Sequence, residues 1–284
     1  EVEHVLQMLQ VMTHEERISI PGLNPGRADI IVAGLAVAAE VLARVEPRTV
    51  AASAYGIREG LLLEVARVKP KIADPGEARA RSVVDFAERC HYEASHARHV
   101  QRLALQLFDS IGVRLGCPSS ERTVLADSAL LHDVGYHINY EGHHKHSLHL
   151  IRHADLLGIS PTDQLVVAHV ARYHRGREPD RAKHRDYGAL DKETRRRITV
   201  LAAILRVADG FDRGHVGAVE RLKVYWGERA LRITPAPSAR AKTMRLELWG
   251  ATRKSGLLSE IAGVPVEIIG LDGKVIQPAE VSDD

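Results

Sequence analysis

Histidine is the residue type that stands out in this chain. There are 16 in 284 residues, and twelve fall between His91 and His174. Within and beyond that segment runs an ordered set: His96, then His132-Asp133, His146, His174 and Asp209. A buried carboxylate is costly unless it is paired or bound to a cation. Neutral imidazoles and carboxylates gathered from separate helices can supply that cation site, and they suit Mn, Fe, Zn or Mg. Two adjacent ions could share Asp133, which is the residue expected to carry the chemistry. Paired cations of this kind activate water near neutral pH and favour attack at phosphorus. A single inward histidine is more often a core residue bonded to a backbone carbonyl. It is the ordered set, not any one member, that points to metal. Assignment among His143, His144, His146 and His149 is the least determined part, and His146 is taken as the ligand. Basic residues lie close by in sequence. Arg172 and Arg175 flank His174, Lys145 precedes His146, and Arg213 follows Asp209 by one turn. They are expected to hold phosphate oxygens, against the competing reading of a solvated face.

The pattern of apolar residues says how these side chains are positioned. From about Ala94 a helix carries Val100, Leu103, Leu107 and Ile111 at i, i+3, i+4 spacing, and His96 falls on the same stripe. Leu130-Leu131-His132-Asp133 ends another helix, with Gly135 as its stop. Helices are also expected over 145–157, with His146 facing inward beside Leu150, Ala154 and Leu157, over 162–174, and over 193–209, where Asp209 shares a face with Ile198, Ala202 and Leu205. Residues 175–197 read as a long exposed loop. Residues 77–215 are thus all helical.

Upstream, residues 1–70 read as α/β. Helices are expected at 5–12, 27–45 and 61–68, a turn at 20–26, and a buried strand at Thr49–Ala54. Residues 69–76 read as a linker. Downstream, 219–284 read as a small α+β domain. Leu222, Val224 and Trp226 alternate, then 230–234, then Met244, Leu246 and Leu248, each predicting a strand. A short helix is expected at 255–262, and strands at 264–269 and 274–276 flank the Asp272-Gly273 turn.

Composition excludes several classes. Hydrophobic residues at 45% and charged residues at 27% are ordinary for a globular chain. The formal charge of +2 gives no global basic field, which argues against nucleic acid as the main partner. The basic residues of the C-terminal domain come without an RNA-binding signature. No apolar run reaches membrane-spanning length, and the first residues lack a signal peptide. Two cysteines, Cys90 and Cys117, form no disulfide framework. The expected location is the cytoplasm.

The set His96, His132-Asp133, His146, His174 and Asp209 resembles the HD superfamily of metal-dependent phosphohydrolases. That resemblance implies two metals bridged by Asp133, histidine ligands, and Asp209 closing the site. Residues 13–64 narrow it further. Thr13-His14-Glu15-Glu16-Arg17, Ile20-Pro21-Gly22-Leu23, Arg27-Ala28-Asp29-Ile30-Ile31, Gly34 and Gly56-Ile57-Arg58-Glu59-Gly60 together resemble the Ppx/GppA family of exopolyphosphatases and guanosine pentaphosphate phosphatases. The implied architecture is multidomain and mainly α. Residues 1–70 form the C-terminal part of a second actin-like (ASKHA) domain, 77–215 an HD-type helical domain, and 219–284 the small α+β domain. The resemblance places the family's glycine-rich phosphate loops and catalytic glutamate upstream of this chain. A missing actin-like half is therefore expected as a partner, with an uncovered apolar face on the helix around Ile30. The expected function is hydrolysis of phosphoanhydride bonds in polyphosphate or a guanosine alarmone, in a homodimer. The alternative is a non-catalytic module for polyphosphate binding or dimerisation.

Overall fold

The computed structural model describes residues 2–20, 23, 25–48, 50, 56–66, 75–239, 241 and 243–277. They fall into two compact units, residues 1–66 and 67–284.

In the first unit, helices α1 (Val2–Val11), α2 (His14–Ile18), α3 (Ile31–Val45) and α4 (Ile57–Val65) account for the regular structure among the described residues. Thr13 caps α2 in a reciprocal box with Glu16, each side chain meeting the other's backbone N–H. The helix expected from Arg27 starts at Ile31, because Pro25–Arg27 form a 3₁₀ turn first. Leu9 and Ala28 are buried. Val37, Val41 and Val45 on α3 are each more than half exposed, in keeping with the uncovered face expected of this helix. The expected strand at 49–54 lies outside the described residues except for Val50, which is in neither helix nor strand.

The second unit is mainly helical. It contains α5 (Pro75–Arg89), α6 (Ala94–Ile111), α7 (Glu121–Leu131), α8 (His143–Arg152), α9 (Pro161–Tyr173), α10 (Arg185–Gly188) and α11 (Lys192–Gly210). Strands β1 (Val219–Trp226) and β2 (Leu231–Pro237) follow, then α12 (Arg245–Lys254), α13 (Gly256–Ala262) and β3 (Val266–Ile268). β1 pairs antiparallel with β2, and β2 parallel with β3. The amphipathic stripe of α6 is buried as its spacing predicts, with Val100, Leu103, Leu107 and Ile111 fully inside. α11 is buried from Ile198 to Gly210 but for Thr199. Its start is fixed by Asp191, whose carboxylate accepts from the Thr194 N–H. One continuous core joins the helices to the sheet and to α12 and α13.

Two expectations change. Residues 175–197 are not all loop, since α10 buries Tyr187 within them. The alternation Met244, Leu246, Leu248 is not a strand. These residues begin α12, where Met244, Leu248 and Ala251 are buried at helical spacing and Leu246 is half exposed. Three apolar residues over five positions fit either period; packing against α11 decides between them. At the C-terminal end, Ile269 bridges Val275 across the Asp272-Gly273 turn, with Gly273 at φ 76°.

Candidate metal centre

Four helix ends converge on one point. His96 stands in the first turn of α6, His132 caps the C-terminus of α7 and is followed by Asp133, His143 opens α8, and His174 caps α9. All four histidines are 2% exposed or less. Each has its Nδ1 committed. His132 donates to the Ala129 carbonyl at 2.7 Å, His143 to Tyr140 at 2.9 Å, and His174 to Ala171 at 2.6 Å, each three residues back. His96 Nδ1 donates to Asp212 Oδ2 at 2.8 Å. These bonds fix the tautomers and aim every Nε2 inward.

The Nε2 atoms meet Asp133. One carboxylate oxygen, Oδ2, lies 3.3 Å from His132 and 3.7 Å from His96. The other, Oδ1, lies 3.2 Å from His143 and 3.3 Å from His174, yet has no hydrogen-bond partner. Asp209 Oδ1 stands 3.6 Å from His96 and 3.9 Å from His132, and its Oδ2 takes the Lys254 ammonium. His96 and His132 Nε2 face each other at 3.3 Å. With the Nδ1 positions holding the ring protons, these are lone pairs that need a proton or a cation between them. Burial opposes charge on His96, but Asp209 and Asp212 outweigh it and push its pKa up to about 10. Burial likewise raises both carboxylates, and their polar neighbours override it. His132 and His143 beside it hold Asp133 well below the usual range, and Lys254 and His96 hold Asp209 there. His174, by contrast, is driven well down by burial and stays neutral.

Two groups here are able to hold a metal ion: His96, His132 and Asp133, and Asp133, His143 and His174. Donor atoms about 2.1 Å from one ion are roughly 3.0–3.4 Å apart, close to the separations seen. The orphaned Asp133 oxygen, the facing lone pairs and the donor types all fit divalent cations.

The centre opens into a cavity of about 350 Å³. Asp133, His143, His174 and Asp209 line it, together with Arg175, Arg206, Arg213, Arg253, Lys254, Tyr136 and Trp249. The Arg253 guanidinium lies over the Trp249 ring, 4.9 Å from its centroid. His215, at φ 54°, stacks on His96 with ring centroids 3.7 Å apart and donates to Glu93.

Five of the six residues expected as ligands are brought together. His146 is not: it is half-buried, and His143 takes its place. α8 ends at Arg152 and buries His143, Ser147 and Ile151, so its inward stripe lies one residue away from the expected His146–Leu150–Ala154 line. Of the expected phosphate residues, Arg175 and Arg213 line the cavity. Lys145 is exposed and does not line it, and Arg172 packs over the Tyr173 ring instead. Trp249, Arg253 and Lys254 reach the cavity from α12, where the alternation of Met244, Leu246 and Leu248 points to a strand instead. Asp212 carried a readable signal, one turn beyond Asp209.

Helices that bury histidines and aspartates beneath a cationic cavity define a class: a His/Asp-centred helical protein whose site suits an anionic ligand. The comparisons narrow it. The family model for Ppx/GppA phosphatase, domain III, matches residues 78–234, and that for the Ppx/GppA phosphatase family matches residues 1–68. The chain belongs to the Ppx/GppA phosphatase family. It is 26% identical over 159 residues to a guanosine-5'-triphosphate,3'-diphosphate pyrophosphatase from Pseudoalteromonas translucida (strain TAC 125), covering 56% of this chain and 31% of that protein. Proteins of the same name from Vibrio vulnificus (strain YJ016) and Vibrio campbellii (strain ATCC BAA-1116) are 26% and 24% identical over 163 residues, covering 57% of this chain and 32% of each. The chain thus spans about a third of the length of these relatives.

Proposed function

We propose that this chain carries a phosphohydrolase centre of the HD type in its helical part. His96, His132 and Asp133, with Asp209 beside them, would hold one divalent cation, and Asp133, His143 and His174 would hold a second. The observation that carries this reading is Asp133, which presents one oxygen to each histidine pair and leaves Oδ1 without a hydrogen bond. Bound cations would supply Lewis acidity toward phosphoryl oxygens and a lowered pKa for water. The chain's own residues do the rest. Asp212 and the three backbone carbonyls hold the imidazoles in the tautomer that ligation requires. Arg175, Arg213 and Lys254 bind phosphate oxygens and offset charge developing on them. Arg206 anchors the wall by donating to the Tyr173 and Gly176 carbonyls.

The substrate class is a phosphoanhydride, either a guanosine 3',5'-polyphosphate, as the relatives' name suggests, or inorganic polyphosphate. The test is metal content by mass spectrometry together with phosphate release from each substrate, for the wild-type chain and Asp133→Asn. The expected result is one to two equivalents of Mn, Fe, Zn or Mg, lost in the variant along with turnover. Retention of both in Asp133→Asn overturns the assignment. A second reading rests on the third of relatives' length that the chain spans: the five cations of the cavity bind a polyanion without cleaving it, and catalysis belongs to a half outside this chain. It predicts polyphosphate binding that weakens steeply with salt, and no turnover.

A further inference from the structure

A second cavity lies against α9, lined by His169, Arg172 and Tyr173. α9 places His169, Arg172 and Tyr173 on one face, at i, i+3 and i+4. His169 is 1% exposed, and neither of its ring nitrogens has a hydrogen-bond partner. The Tyr173 hydroxyl, on a residue equally buried, has the Arg172 guanidinium as its neighbour. Both side chains line a cavity of about 210 Å³, whose other walls include Lys183, His184 and Arg185. Buried polar atoms in folded proteins are nearly always satisfied, so two orphaned nitrogens of one ring at one cavity call for a bound group.

The chemistry of that group follows from the donors and acceptors. Burial, reinforced by Arg172 and Arg152, lowers the pKa of His169 to about 4, so the ring is neutral. A neutral imidazole offers one N–H donor and one acceptor nitrogen, and a phenol can do either. The partner must therefore both accept and donate. The rim adds charge. Lys183 is paired with Asp180, and Asp186 lies 3.7 Å from Arg152, whereas Arg172 and Arg185 form no ion pair among the described residues. A carboxylate would satisfy the cations but could not donate. A phosphate that still carries a proton has P–O acceptors, a P–O–H donor and negative charge, in a volume this cavity can take.

We propose that the His169–Tyr173 cavity is a binding site for a phosphate group, distinct from the candidate metal centre. The group is either free inorganic phosphate or the terminal phosphate of a nucleotide. The proposal is independent of whether the metal centre is catalytic.

The test is nitrogen-15 NMR of the histidine rings in the full chain, held in chelator so that no cation bridges phosphate to the other cavity. His169 is assigned by the loss of its signals in His169→Gln. Titration with inorganic phosphate is expected to shift the His169 resonances saturably. The apparent Kd should weaken at least tenfold in Arg172→Gln/Arg185→Gln, several-fold in Tyr173→Phe, and not at all in Arg213→Gln. A second titration uses guanosine monophosphate. A shift with phosphate alone assigns the free ion as the ligand, and a shift with the nucleotide alone assigns the esterified group. The proposal is overturned if neither compound moves the His169 signals, in which case ordered water fills the cavity. It is equally overturned if the shift survives the double arginine variant. If the His169 variant does not fold, the readout becomes any saturable histidine shift that weakens in Arg172→Gln/Arg185→Gln and in the shape-conserving Tyr173→Phe but not in Arg213→Gln, and its absence overturns the proposal.

Discussion

Asp133 gathers four imidazoles around one carboxylate, and each imidazole has already spent its Nδ1 proton on a carbonyl or on Asp212. The Nε2 and carboxylate atoms turned toward one another therefore need a proton or a cation between them, which is the reason for expecting cations there. Asp127 is a contrasting carboxylate in the same unit. It is 6% exposed, with Arg79 Nη2 at 2.6 Å. Burial pushes its pKa up to about 6 despite Arg79, and Asp163 adds to the rise. The sign of its effect on stability follows. The folded carboxyl binds its proton more tightly than the unfolded one. Asp127 therefore favours the fold below about pH 4, and that advantage is lost as pH rises through about 6. A shift of this size corresponds to roughly 3 kcal/mol. Asp127→Asn removes the titration. Denaturant unfolding should show the variant gaining up to that amount relative to wild type between pH 4 and 7, whatever the constant offset from Arg79 losing its charge partner. A difference that stays flat across this range would show that the carboxyl titrates normally.

At the scale of elements, the centre depends on how α7 hands over to α8. The Gly135 N–H donates to Ser147 Oγ at 2.9 Å, and that hydroxyl donates to the His132 carbonyl at 2.7 Å. A Cβ at Gly135 would lie 1.9 Å from the His143 carbonyl oxygen and 2.6 Å from the Ser147 nitrogen. Gly135→Ala must therefore push the start of α8 away, and His143 with it. The expected cost is about 1–3 kcal/mol of stability, as for overpacking elsewhere, together with loss of cation bound at the His143–His174 side. Mass spectrometry and a denaturation midpoint check it. Wild-type values for both would mean that α8 is not held at this junction. The same handover explains what the sequence made readable. Long stripes such as Val100–Leu103–Leu107 and Ile198–Ala202–Leu205 set the facing of α6 and α11, and His96 and Asp209 came with them. α8 is only ten residues long and rich in histidine, so its apolar pattern was too sparse to separate His143 from His146. The helical character of α12 is hidden in the sequence for a different reason. Its inward face is made partly of glycine and a buried glutamate, Gly250 and Glu247, which carry no hydrophobic signal. A Cβ on Gly250 would lie 2.6 Å from the Gly210 carbonyl oxygen, so the close approach of α12 to α11 is written in small residues. Lys254 reaches Asp209 because of that approach.

For the whole molecule, the two compact units differ in what holds them together. Every residue of the candidate centre and its cavity lies in the unit of residues 67–284, which has an extensive core. In the unit of residues 1–66, only Leu9 and Ala28 are buried among the described apolar side chains, and several large ones are exposed. Ligand binding stabilises only the structure that contains the site. Calorimetry of the full chain should therefore show two transitions, the weaker from residues 1–66. Added Mn at about a hundred times its Kd should raise only the stronger, by about 2.7 kcal/mol, or roughly 5–10 °C for a unit of this size. Asp133→Asn should abolish the rise and leave the weaker transition in place. A single transition that moves as one with the cation would show instead that the two units unfold together, and that residues 1–66 draw their stability from the unit that holds the centre.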